Sequence, residues 1–271
     1  MLFVDAPLAR RLERAEGAVS ARLIESRARL EPASGATWRE INGAFAMFDS
    51  PGSPITQAFG LGMSGPTAEA DVAAIEAFFT ERDADTLHEV SPLAGVQTQA
   101  MLAERGYRPI ELSNVLVRSL DDLHDTEPPQ AALKVRIAEP RDEAAWVEAA
   151  VAGWAENDEI APLIRGFCRV SFASTAVTAY LVEIDGAVVA TASFGVHEGV
   201  ALLAGASTTP AARNRGAQRA LLVARLAEAK RRSCDVAMMA TAPGSVSQRN
   251  AERNGFRVAY TRAKWRRGLP A

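Results

Sequence analysis

Cysteine and histidine are scarce in this chain, and each scarcity removes a class of function. Two cysteines, Cys168 and Cys234, lie far apart in 271 residues, which excludes a disulfide framework and a paired redox motif. Cys168 follows Phe167 and Cys234 precedes an apolar run, so buried structural thiols are expected. The three histidines, His88, His124 and His197, share no ligand spacing with each other or with the cysteines, and no metal is expected. No apolar run approaches the roughly 18 residues that a membrane span requires. Near the N-terminus Arg10, Arg11, Glu13 and Arg14 interrupt any signal-peptide core. Neither sign of charge dominates: 30 basic against 33 acidic residues leave a net charge of -3, with no global pull toward nucleic acid. The expectation is a cytoplasmic protein without membrane or nucleic-acid partners, monomeric or homodimeric.

What is present is enough apolar residue, 48% of the total, for two domains of ordinary size. The acidic stretch at 121–132, with Pro128 and Pro129, lacks apolar periodicity and reads as a connection between them. The division expected is therefore 1–122, a linker at 123–133, and 134–271.

In the second half, strands are predicted at 134–138, 178–183, 187–195, 200–207 and 235–241, with a final strand region at 255–264. Asp185-Gly186 marks a hairpin turn. Helices are predicted at 141–154, 217–232 and 245–253 from apolar spacing such as Leu221, Leu222, Leu226 and Ala229. The first half echoes the later part of this order, with strands at 44–48, 55–61, 87–90 and 107–117 and helices at 67–81 and 97–104. The fragment Ala103-Glu104-Arg105-Gly106-Tyr107-Arg108 also echoes Ala251-Glu252-Arg253-Asn254-Gly255-Phe256-Arg257. Together these suggest a duplicated α/β domain.

The most informative segment runs from Ser207 through Thr208, Thr209 and Pro210 to Arg213-Asn214-Arg215-Gly216-Ala217-Gln218-Arg219. A strand ends, proline breaks the ladder, and a short polar loop opens into an amphipathic helix. Such a loop aims unpaired N–H groups and a helix dipole at one small space, which suits a pyrophosphate. Gly216 would allow close backbone approach, and Arg213, Arg215 and Arg219 add positive charge. On spacing alone, an ordinary strand-to-helix connection with solvated arginines remains open.

This loop resembles the acyl-CoA-binding signature Q/R-x-x-G-x-G/A of the GNAT superfamily of N-acetyltransferases. Arg213 fills the first position and Gly216 the first glycine, whereas Gln218 stands where the family has Gly or Ala. The helix at Ser247–Arg253 followed by Gly255-Phe256 resembles the family's penultimate helix, where Arg249 and Asn250 could touch cofactor or substrate. The resemblance covers 134–267 and is faint in the first half. It implies two tandem GNAT-like domains, α/β (α+β) in class, each a central mixed, mostly antiparallel sheet flanked by helices. The first would be a degenerate copy, because Glu69 and Asp71 stand where the second half has arginines and would repel a pyrophosphate.

The resemblance further implies acetyl transfer from acetyl-CoA to an amine, small-molecule or protein, within a ternary complex. Backbone groups at Ala206 and Ser207 would meet the thioester, and Thr208, Thr209, Arg213, Asn214, Arg215, Gly216, Ala217, Gln218, Arg219, Arg249 and Asn250 the rest of the cofactor. Two usual groups are missing. Ala251 stands where many relatives carry the tyrosine acid, and residues 201–206 contain no carboxylate to act as base. Tyr260 belongs to the final strand, where packing is its expected role. Glu159 is the base candidate carried forward, with Asp158, His197 and Glu198 as others and water as a further route. A protein that binds acyl-CoA for regulation without turnover is the alternative.

Overall fold

The computed structural model describes residues 2–121, 123, 133–154 and 158–269. Most of the proposed linker, and His124 with it, lies outside the described residues. The chain forms two compact units, one of residues Met1–Val117 with Ala240–Ala271, the other of Arg118–Met239.

The first unit opens with α1 (Ala6–Leu30), for which the sequence reading provided no element. Asp5 accepts from the Leu8 N–H at 2.9 Å and Pro7 occupies the first turn, a strong N-terminal signal. Leu8, Leu12, Ala15, Val19 and Leu23 recur every three or four residues and are buried, while the charges that interrupt them mostly lie on the other face. There follow β1 (Thr37–Ile41), β2 (Ala44–Phe48), β3 (Gln57–Phe59), α2 (Glu69–Thr80), β4 (Thr86–Val90), α3 (Val96–Glu104) and β5 (Arg108–Ser119). Val72, Ile75, Phe78 and Phe79 of α2 pack with Leu102 of α3 and Tyr107 over Ala44, Ala46, Phe48 and Ala58 of the sheet.

The second unit contains β6 (Lys134–Ile137), α4 (Glu143–Trp154), α5 (Ala161–Ala173), β7 (Val177–Ile184), β8 (Ala187–His197), β9 (Val200–Thr208) and α6 (Ala217–Arg231). β10 (Val236–Thr241) begins in it and carries the chain across its boundary after Met239. Trp146 of α4 donates its indole N–H to the Tyr180 carbonyl at 2.9 Å, and packs with Val147, Val151, Cys168 and Leu181. Both cysteines are buried and free, and burial pushes the Cys168 thiol up to about 12, so it is not a nucleophile at neutral pH.

The same pairing pattern recurs in both units. In the second, β6, β7, β8 and β9 pair antiparallel in succession and β9 pairs parallel with β10. In the first, β1, β2 and β3 pair antiparallel and β3 pairs parallel with β4. Within each unit the strand pairing is mixed and mostly antiparallel, as expected.

The boundary between the units differs from the expected one. After Met239 the chain continues with α7 (Val246–Arg253) and β11 (Arg257–Arg267), which pack in the first unit. There β11 lies between β4 and β5, antiparallel to both. Backbone pairing on two sides fixes it, and its buried side chains add to that. The Tyr260 hydroxyl donates to Glu13 at 2.8 Å, and the Arg262 guanidinium meets Glu16 at 2.8 Å and Glu89 at 2.9 Å. Strand packing is thus the role of Tyr260. No helix among the described residues is long and apolar enough to cross a membrane.

Candidate active site

The parallel pairing in the second unit is short. β9 matches β10 at Val200/Val236, Ala201/Ala237 and Leu202/Met238, and no further. Beyond that point Ala204 and Gly205 of β9 are exposed and Ala206 is half-buried. The other edge of β9 is irregular at the same level. Ala204 pairs with Ser193 of β8, but the next recorded partner of Thr191 is Ser207. Gly205 and Ala206 therefore oppose Ala192 alone, which makes a β-bulge. Gly205 has φ +59°, a left-handed conformation that glycine adopts without a Cβ penalty. An extra residue twists the strand and releases main-chain groups from the ladder where β9 parts from β10.

The strand end is held from α4. A Cβ on Gly153 would lie 2.7 Å from the Ser207 Cβ and 3.0 Å from the Thr208 nitrogen, so only glycine fits. Ser207 is buried and shares a hydrogen bond with Thr191 at 3.0 Å. Of the two residues expected at the thioester, Ala206 stands at the opening, whereas Ser207 is already committed to the strand.

After Thr208 the chain makes a 3-10 turn at Pro210–Ala212 and reaches α6 through Asn214 at φ +62° and Gly216 at φ +83°. These two left-handed residues turn the loop sharply into the helix. Among the described residues, no intramolecular acceptor takes the N–H groups of Asn214, Arg215, Gly216, Ala217 or Gln218, and α6 has no side-chain cap. The loop thus keeps its donors available, at the positive end of a helix of 15 residues. Arg215 and Arg219 are exposed at its rim. Arg213 is turned back, with its guanidinium 3.5 Å from the Thr208 carbonyl and 3.4 Å from the Gly153 carbonyl. Gln218 donates to the Thr208 hydroxyl at 2.9 Å, so the departure from the family's small residue serves as a tie between helix and strand end. Thr209 donates its N–H to the Val189 carbonyl at 2.9 Å.

The remaining candidates are dispersed. Arg249, exposed, and Asn250, half-buried, stand on α7 in the first unit. Asp158 and Glu159 occupy an exposed turn before α5. His197 and Glu198 lie at the turn that starts β9, about 20 Å along the strand from the bulge by the rise per residue. Ala251 is buried at the C-terminal part of α7. Among the described residues no group of three His, Cys, Asp or Glu side chains could hold a metal ion.

Sequence reasoning missed Arg225. It stands on α6 within the apolar stripe of Leu221, Leu222, Leu226 and Ala229 and is 3% exposed. One of its nitrogens donates to the Ser193 carbonyl at 3.0 Å and the Ala204 carbonyl at 3.3 Å, and Nε donates to the Leu221 carbonyl at 3.2 Å. No carboxylate pairs with it among the described residues, and burial pushes the guanidinium down to about 10. An arginine inside an apolar helical stripe was the readable signal.

The corresponding position in the first unit is built differently. β3 pairs parallel with β4 at Ala58/His88 and Phe59/Glu89, and the loop after it leads to α2. There Asp71 accepts from the Ala68 N–H at 3.1 Å and from the Asn42 side chain at 2.8 Å, and Glu69 opens the helix. The helix end is capped and negative.

Hairpin strands, a parallel step and a loop into a helix occur in both units, and the second adds a bulged, parting strand; this is the GNAT fold, that of solved GCN5-related N-acetyltransferases, in two copies. The solved structures it is similar to bear this out. A GCN5-related N-acetyltransferase from Kribbella flavida superposes with a TM-score of 0.65 at 20% identity, covering 95% of this chain and 96% of that one. One from Sphaerobacter thermophilus gives 0.57 at 17% identity, covering 79% and 74%. A tandem GNAT protein from the clavulanic acid biosynthesis pathway gives 0.60 at 14%, covering 84% and 79%. No protein-family model and no curated protein matches the sequence.

Proposed function

We propose that the second unit binds acetyl-CoA and transfers its acetyl group directly to an amine. The observation that carries this reading is the alignment of two features on one strand: β9 parts from β10 at a bulge, then ends in a loop whose N–H groups are unused. Diphosphate oxygens would accept from the loop between Arg213 and Gln218, with Arg215 and Arg219 beside them. The pantetheine arm would lie along the open edge of β9 and bring the thioester to Gly205 and Ala206. The amine lone pair attacks the carbonyl carbon, a C–N bond forms, and negative charge collects on the oxygen. Bulge N–H groups stabilise that charge. The C–S bond then breaks, the nitrogen gives up its proton, and CoA leaves as the thiol. Held geometry supplies much of the rate in a site with few side-chain acids and bases.

No carboxylate stands on β9, and Ala251 fills the position of the usual tyrosine. Those two residue facts favour one competing reading, a protein that binds acyl-CoA as a signal without turnover. Titration calorimetry with acetyl-CoA, followed by assay of thiol release with a panel of amines, separates the two. Binding with amine-dependent release supports the transferase, and binding without any release supports the sensor. No binding to the wild-type protein would overturn both. The first unit, by this reading, binds no CoA and contributes structure.

A further inference from the structure

Arg225 has no place in the reading above, and its surroundings are unusual for a buried cation. A guanidinium taken from water is normally matched by a carboxylate, because removing an ion from solvent costs several kcal/mol after relaxation. Here the partners recorded are three main-chain carbonyls, two of them on the residue pair that borders the bulge. A methionine or leucine would fill the same apolar stripe without that cost. The position therefore retains charge at the one place where β9 departs from regular pairing.

Peptide geometry connects the charge to the opening. Among the described residues there are no cis peptide bonds, so each C=O and the following N–H point in opposite directions. Holding the Ala204 carbonyl toward Arg225 aims the Gly205 N–H away from the guanidinium. A cation on the carbonyl oxygen also draws electron density from the peptide, which makes that N–H a stronger donor. Gly205, exposed and at φ +59°, has no side chain in the way of an approaching group.

We propose that Arg225 is a positioning residue that orients and polarises the Ala204–Gly205 peptide, so that the Gly205 N–H donates to the thioester carbonyl oxygen of the bound acyl-CoA. This rests on the acetyl-CoA reading of the second unit and names a device within it. The reacting oxygen would meet a neutral amide backed by a buried charge, in a site that lacks a side-chain donor at this point of the strand.

The test uses the full chain with acetyl-CoA labelled with carbon-13 at the carbonyl, and compares wild type with Arg225→Met and Arg225→Lys. Isotope-edited infrared spectra read the carbonyl stretch of the bound thioester. The expected result is a lowered stretch in the wild type and a return toward the free value in Arg225→Met, with acetyl-CoA affinity changed less than about threefold. Arg225→Lys, which keeps the charge but not the double contact, should fall between them. It also decides the matter if Arg225→Met does not fold. A stretch unchanged by either folded variant overturns the proposal. The nitrogen-15 and proton shifts of the Gly205 amide give a reading without ligand. If the wild type binds no acetyl-CoA, the site assignment fails and the thioester contact with it. The Gly205 amide then still shows whether Arg225 polarises this peptide, and shifts unaltered by substitution overturn that too.

Discussion

The two units share a parallel strand step followed by a loop and a helix, and they differ in what the start of that helix offers. In the second unit the loop before α6 uses left-handed backbone at Asn214 and Gly216, leaves the N–H groups of residues 214–218 without acceptors among the described residues, and carries arginines at the rim. In the first unit Asp71 accepts the Ala68 N–H at the start of α2, and Glu69 adds a second negative charge. A helix dipole is common to both, so at this site the dipole does not distinguish them. The sequence of the first turn decides whether that site is open or filled from within.

The largest effect should come from inverting that difference. Gly216→Glu places a carboxylate, on a backbone that disfavours any side chain, where the diphosphate would sit. Calorimetry should show acetyl-CoA affinity reduced by at least about 100-fold, equivalent to some 2.7 kcal/mol. Asp71→Asn in the first unit should leave the stoichiometry and affinity unaltered. A second binding event in that variant would mean that charge alone silences the first unit.

Acid should sharpen the contrast next, through His88. This histidine of β4 is fully buried, neither ring nitrogen has a hydrogen-bond partner among the described residues, and burial pushes it down to about 4. The unfolded chain takes up a proton near pH 6.5 while the folded one resists until about 4. Stability is therefore complete above pH 6.5 and declines as pH falls toward 4, by up to about 3 kcal/mol. Hydrogen exchange should rise in β4 and β11 before β7 and β8, and His88→Leu should flatten the pH dependence. Equal acid sensitivity in both units would count against this account.

Two close glycines give a smaller, paired effect. A Cβ at Gly17 of α1 would lie 2.6 Å from the Phe45 ring, and one at Gly153 of α4 would press on the strand end at Ser207 and Thr208. A ring can rotate or shift, whereas the Thr208 nitrogen belongs to the backbone that shapes the loop. Each Ala substitution should lower stability by about 1–3 kcal/mol in denaturant titrations. Only Gly153→Ala should also weaken acetyl-CoA binding, and equal affinities would detach the α4 contact from the site. The smallest effect is expected for Gln218→Ala, which loses the tie to Thr208 at a cost of about 0.5–1.5 kcal/mol. Affinity should move less than about threefold. A loss as large as that for Gly216→Glu would make Gln218 a direct ligand of the cofactor.

The legible parts of the molecule were those written locally. Asp185-Gly186 turns the β7–β8 hairpin, and the Ala103 and Ala251 fragments each end a helix on a left-handed glycine followed by a buried aromatic, Gly106-Tyr107 and Gly255-Phe256. The loop from Arg213 to Gln218 could be read because a strand end, a proline and a glycine fall within a few residues. Two helices were overlooked for opposite reasons. In α1 frequent charges interrupt the apolar stripe, and α5 lacks a side-chain cap and carries Gly166 within it, so its helix depends on tertiary packing. The bulge and Arg225 required knowledge of cross-strand register. The place of β11 required more still, since a strand's own pattern does not say which sheet it joins.

That last strand sets a timetable for biosynthesis. β4 and β5 leave the ribosome long before β11, and at about 5–20 residues per second the interval is on the order of ten seconds. During it the nascent N-terminal half holds two strand edges that its own sequence cannot satisfy, the kind of surface that recruits neighbouring chains or chaperones. Maturation of the first unit is thus tied to synthesis of β11. A release at residue 239 should yield an aggregating product, not a smaller working one.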